Sequence, residues 1–264
     1  MLRIAGAAVV LAPEGAFGAA PPQWNVDYGE DVCSLIRMVA ADDTQVAFKR
    51  MPGNDMTSIN IVKPGWKSLS GRRIKAMRIA LQPGGEITGK TIFIPAGEPD
   101  GPVLVIIVTE HGFLDRLASA GGLTLTEAGR PAAHFVLPET AKAVAAVRAC
   151  ETEGMRTWGI DPEQWTALRS PPKPVIDLPS LFSSDDYPGD AVATGASGDV
   201  LVRLTVDPVG RVSQCFVLHK SGHSSLDKQT CAILARRARF EPALRADGTA
   251  VSAPYVTKIT WRAG

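Results

Sequence analysis

Residues 198–219 read Gly-Asp-Val-Leu-Val-Arg-Leu-Thr-Val-Asp-Pro-Val-Gly-Arg-Val-Ser-Gln-Cys-Phe-Val-Leu-His, and their alternation decides how the end of the chain folds. Val200, Val202, Leu204 and Val206 recur at period two, so they fall on one face of a strand over residues 201–206. Asp207-Pro208-Val209-Gly210 supplies turn chemistry, because proline fixes one torsion and glycine frees another. Residues 212–218 then return as a second strand with Cys215 and Val217 facing inward. Ser221-Gly222 ends it, and a helix runs from Leu226 to about Arg239 until Phe240-Glu241-Pro242-Ala243 stops it. Asp247-Gly248 turns the chain into a last strand over 251–261, where Val251, Tyr255, Ile259 and Trp261 point inward. The order is β-β-α-β.

Upstream stand Tyr187-Pro188 and Ala191. Together with Gly198 and Val200, Asp207 and Gly210, Ser221-Gly222 with Leu226-Asp227, Phe240 with Pro242-Ala243, and Asp247-Gly248, they make six pieces in fixed order. Residues 187–264, 78 of the 264, resemble the TonB C-terminal domain family in these pieces. The resemblance implies that the last strand is an edge with unpaired N–H and C=O groups. In that family such an edge recruits a short extended peptide of an outer-membrane transporter by strand addition. The partner-binding residues it implies are Val251, Ala253, Tyr255, Val256, Thr257 and Ile259, with Tyr187 and Pro188 where the domain begins. Pro254 suits such a strand, since it cannot donate to a ladder. The expected partner is therefore an envelope protein or a transporter peptide. The energy-transducing members of the family carry a membrane-spanning N-terminal helix and a long proline-rich spacer. This chain departs from that pattern, with Pro13 and Glu14 in its first segment and a folded region in the spacer's place.

That folded region is expected over residues 24–160. Short runs with strand character cover 44–50, 57–62, 73–81, 91–94 and 103–108; Val46 with Phe48 and Ile59 with Ile61 alternate as half-buried strands do. Residues 113–120 suit a short helix, and Thr140 suits an N-cap for a helix over 141–153 with Val144, Val147 and Cys150 on one face. Pro162, Pro171, Pro172, Pro174 and Pro179 mark residues 161–180 as a proline-rich linker, and the terminal domain follows over 181–264. The expected class is α+β: a mostly-β domain closed by a helix, a linker, then the β-β-α-β domain. Arg3, the apolar run 4–12 and the small residues Ala16 and Gly18 read as a signal peptide over residues 1–20, which implies export to the periplasm. The plain alternative for this segment is a buried N-terminal strand.

Cys33, Cys150, Cys215 and Cys231 allow three pairings. In an oxidising compartment, pairing each with its regional neighbour gives two self-contained loops, Cys33 with Cys150 and Cys215 with Cys231. The competing reading is zinc on Cys215, His219, His223 and Cys231, but the cysteines do not form the close knuckle that zinc sites favour.

Gly84-Gly85-Glu86-Ile87-Thr88-Gly89-Lys90-Thr91 matches the phosphate-loop letters, yet the chemistry needs a helix directly after them. The next residues are instead a strand run stopped by Pro95. Ser225 and Lys228 fit S-x-x-K without the downstream motif that would complete that site. The 28 Lys+Arg against 27 Asp+Glu leave a charge of +1, which argues against nucleic acid as partner. No apolar run is long enough for a membrane span. No cofactor, metal or catalytic group is expected. A disulfide-stiffened structural or ligand-binding envelope protein is the second reading, and a nucleotide hydrolase at residues 84–91 the last.

Overall fold

A computed structural model describes residues 23–39, 43–62, 77–94, 103–127 and 130–263. The expected signal peptide lies outside the described residues, as does the start of the expected strand at 73–76. Among the described residues nine strands form the N-terminal sheet: β1 Asn25–Tyr28, β2 Cys33–Val39, β3 Thr44–Arg50, β4 Thr57–Val62 and β5 Met77–Gln82 come first. Then follow β6 Gly85–Ile94, β7 Val103–Val108, β8 Gly122–Glu127 and β9 Arg130–Val136. They pair antiparallel throughout, in the order β1-β2-β3-β4-β7-β6-β5-β8-β9. The alternation of Val46 and Phe48 in β3 and of Ile59 and Ile61 in β4 puts all four side chains in one core. Helix α1 (Phe113–Ser119) and helix α2 (Thr140–Thr157) close that core with Phe113, Leu117, Val144 and Val147.

Strand β6 explains the phosphate-loop letters. Gly84 and Gly85 form the turn from β5 with φ of 140° and 76°, and the strand then pairs with β5 through Gly89 and with β7 from Lys90 onward. Gly89 sits where the strand changes partners, and a Cβ there would lie 2.4 Å from Ile106 Cγ2. Its glycine is required by sheet packing. A strand and not a helix runs on from the turn, so the helix N-terminus that a phosphate loop needs does not follow it directly.

Thr140 does not cap α2. Glu139 holds the cap position in the left-handed region at φ 55°, and the Thr140 hydroxyl faces Ala120 O at 2.6 Å and Ala118 O at 3.2 Å instead. It satisfies carbonyls at the end of α1, which residue spacing alone does not reveal. Cys33 and Cys150 are joined across the sheet and α2, and Cys215 and Cys231 form a second disulfide. The second bond removes both thiolates that a zinc site would need.

Residues 161–180 are not an extended spacer. After α3 (Pro162–Thr166), the Arg169 and Ser170 N–H groups donate to Leu244 O. Then β10 (Lys173–Pro174) pairs with β13 (Phe240–Glu241), and Leu178 is buried in the C-terminal core. Pro162 and Pro179 stand at the starts of helical turns and Pro174 lies in β10, while the Val175 N–H donates to Arg239 O.

The C-terminal body contains α4 (Gly189–Thr194), β11 (Gly198–Val206), β12 (Val212–His219), α5 (Ser224–Arg237) and β16 (Ala253–Trp261). Its sheet runs β12-β11-β16, and Leu226, Ile233 and Leu234 of α5 cover the face made by Val200, Val202, Leu204 and Val206. The expected last strand is broken at Ser252: β15 (Ala250–Val251) pairs with β14 (Ala243–Leu244) in a separate hairpin. The body is otherwise the β-β-α-β arrangement read from the sequence. Among the described residues no helix is long and apolar enough to cross a membrane.

Asp186 locks the start of this body. It accepts from Arg237 Nη1 at 2.6 Å and Nη2 at 2.7 Å and from the Ser183 N–H at 2.9 Å. The Arg237 bonds, then the Ser183 N–H, hold its carboxyl well below the usual carboxylate range. A depressed folded pKa contributes stability that is present above the unfolded value of about 4 and is lost as pH falls from there through the folded value. The melting-temperature gap between wild type and Asp186→Asn should therefore be widest at neutral pH and narrow steadily below about pH 4. A gap that stays constant into acid would show that the charge contributes nothing.

Candidate partner-binding edge

Strand β16 ends the C-terminal sheet. It pairs with β11 from Gly198↔Trp261 to Val206↔Ala253, and no further strand lies beside it among the described residues. In an antiparallel pair, residues two apart turn their main-chain groups to the same side. The outward set is fixed by Val256, whose N–H and C=O both bond away from β11. Pro254, Val256, Lys258 and Thr260 thus form the outer edge. Pro254 has no donor to offer there, which is why a proline is tolerated in the strand.

The side chains implied by the family resemblance are placed as follows. Tyr255 is 2% exposed and packs 5.1 Å from the Phe240 ring, and burial pushes its hydroxyl pKa up. Ala253, Thr257 and Ile259 are buried as well. Tyr187 donates its hydroxyl to Ala196 O and sets its ring edge-on to Trp261 at 5.1 Å, while Pro188 precedes α4. Val251 lies in the small hairpin outside the sheet. These side chains shape and brace the strand; what faces outward is main chain.

The N-terminal domain reaches this edge through residues 51–56. Gly53 O accepts from the Val256 N–H at 3.0 Å, and Asn54 Nδ2 donates to Val256 O at 2.9 Å. A carbonyl and a side-chain amide thus satisfy the two groups that a paired strand would satisfy. Asn54 is itself held in place, since its N–H donates to Met51 O and its Oδ1 accepts from the Met56 N–H at 2.8 Å. Gly53 has φ 74°, and a Cβ there would lie 2.6 Å from Ile160 Cδ1 and 2.8 Å from Val256 Cγ2. Glycine permits the turn and, beside Ile160 and Val256 as they stand, the close approach as well.

Arg50 anchors the same loop. Its Nε donates to Glu151 Oε1 at 2.9 Å, and its Nη1 donates to Asp55 O at 2.9 Å and Thr57 Oγ1 at 3.1 Å. Burial raises the Glu151 carboxyl, with the Arg50 charge opposing that rise. His111 Nδ1 sits 2.7 Å from the other side of the loop at Asp55 Oδ2.

Around this contact, Met155, Trp158 and Ile160 pack on Leu201 and Val256. Arg203 donates to Trp158 O and Gly159 O at 2.7 Å each, and Lys258 Nζ meets Asp31 Oδ2 at 2.8 Å. The second face of the sheet is thereby joined to the N-terminal domain. The Pro52-Gly53-Asn54-Asp55 string marks a turn in the sequence, but nothing local says that it meets a strand two hundred residues later. At the opposite edge, β12 pairs only with β11 among the described residues, and its Phe216 is 46% exposed under the Arg203 guanidinium.

Residues 184–263 match the family model described as Gram-negative bacterial TonB protein C-terminal. The match covers the three-stranded sheet, α5 and the turns before them, the same segment whose motifs carry the resemblance. None of the curated proteins matches the chain.

Proposed function

With a TonB-type terminal domain as the premise, we propose that the chain is an exported, periplasmic, non-enzymatic protein that binds an envelope partner through the outer edge of β16. The partner offers an extended segment, as an outer-membrane transporter peptide does, and main-chain bonds to residues 254–260 hold it. The observation that supports this reading most is the position of β16 at the end of the sheet, with Tyr255, Ile259 and Trp261 turned to the core and the main-chain groups of alternate residues turned away from β11.

A photoreactive residue at Thr260 of the full-length protein, irradiated in the living envelope, tests it. Capture of an envelope protein is expected, and it should be lost in Lys258→Pro, which deletes an outward donor, but kept in Lys258→Ala. Equal capture by both variants would count against strand addition.

A second reading is favoured by the bonds at Val256. Because Gly53 and Asn54 already satisfy both of its main-chain groups, the terminal domain also suits a fixed structural part of one two-domain body. No capture from any form would leave that reading.

A further inference from the structure

We propose that residues 51–55 of the N-terminal domain are a latch on β16, so that the partner-binding edge is closed until this loop is displaced. The inference rests on the partner-binding reading above and adds its regulation. Three features carry it. The loop occupies the middle of the outer edge and not an end, because Val256 lies between Pro254 and Lys258 in the outward set. It satisfies both the donor and the acceptor of that residue, as an incoming strand would, so the two cannot be bonded at once. The contact also reaches the next outward residue, where the Lys258 side chain is held by Asp31 of the N-terminal domain.

The loop uses only part of what the edge offers. One main-chain bond and one Asn side-chain bond close the edge, whereas a pairing strand would add further ladder bonds at Lys258 and Thr260. A partner strand therefore gains what the loop does not use. The closed population lowers apparent affinity by the fraction of molecules that are open.

The test uses the full-length protein with the photoreactive residue at Thr260, in three forms. Asn54→Ala removes the bond to Val256 O and should raise both capture yield and the amide exchange rate at Val256 by about fivefold. The locked form carries Gly53→Cys, Val256→Cys and Ile160→Val. A Cβ at Gly53 would lie 3.7 Å from Val256 Cβ, within disulfide reach, and the Val at 160 removes the Cδ1 that the new atom would meet. Peptide mapping establishes the new crosslink; capture should then be absent and return on reduction.

Asn54→Ala keeps the proposal open to refutation if the locked form does not fold. Equal capture by wild type and Asn54→Ala, or by the locked form, would overturn the latch while leaving strand addition intact. An unchanged Val256 exchange rate in Asn54→Ala would overturn it too. Absence of capture from every form, Asn54→Ala included, would overturn the partner-binding reading and the latch with it.

Discussion

The double variant Cys33→Ala/Cys150→Ala is expected to lose about 2–5 kcal/mol of stability, a drop in melting temperature on the order of 10 °C. The bond spans 117 residues, and chain-entropy reasoning makes a crosslink over such a span worth more than one over 16. The consequence is also local. Cys150 lies on the buried face of α2 with Val144 and Val147, and Cys33 opens the strand beneath it. Freed from β2, α2 is held by apolar packing and by its polar contacts, the Glu151–Arg50 bond among them, and its far end carries Met155 and Trp158 into the contact with the C-terminal sheet. Thermal melts with and without reductant measure the effect. The matching Cys215→Ala/Cys231→Ala variant should cost less, about 3 kcal/mol or below. A larger loss from the short crosslink than from the long one would contradict this ordering.

The second large effect is expected at Glu151. Replacing it with Ala leaves the Arg50 guanidinium buried, with the Asp55 carboxylate 3.6 Å away as its remaining charged neighbour. Breaking a buried pair from one side costs about 3–5 kcal/mol, because the remaining charge stays desolvated. The double variant Arg50→Met/Glu151→Leu removes both charges and should recover most of that loss. Denaturant titration of the three proteins decides it. If Glu151→Ala alone lies within about 1 kcal/mol of wild type, the pair is not what anchors the loop. Arg50 also holds Asp55 O and Thr57 Oγ1, so Glu151→Ala is expected to speed exchange at Val256 as well.

The C-terminal body was legible because its signals are short-range. Val200, Val202, Leu204 and Val206 report a buried face within seven residues, and Asp207-Pro208-Val209-Gly210 reports its own turn. The break at Ser252 was not legible, since Val251 and Tyr255 continue the same parity on both sides of it. The proline-rich stretch misled for a related reason. Proline signals what the backbone cannot do, but Leu178 and the donors of Arg169 and Ser170 find partners that lie some seventy residues away in the chain. In the N-terminal domain the alternating residues of β3 and β4 fixed strand faces, but not that nine strands would join in one sheet with β7 placed between β4 and β6.

For the candidate site the division is sharper. Local pattern alone determined that the chain ends in a β-β-α-β body, that Tyr255, Ile259 and Trp261 turn inward, and that Pro254 belongs on an outer edge. Tertiary structure alone decided that Gly53 and Asn54 stand against Val256, that Asp31 holds Lys258, and that Arg203 reaches Trp158 O. The physical reason is one of range. Alternation and turn chemistry are written among neighbouring residues, whereas a hydrogen bond across 202 residues leaves no trace until the intervening chain has folded.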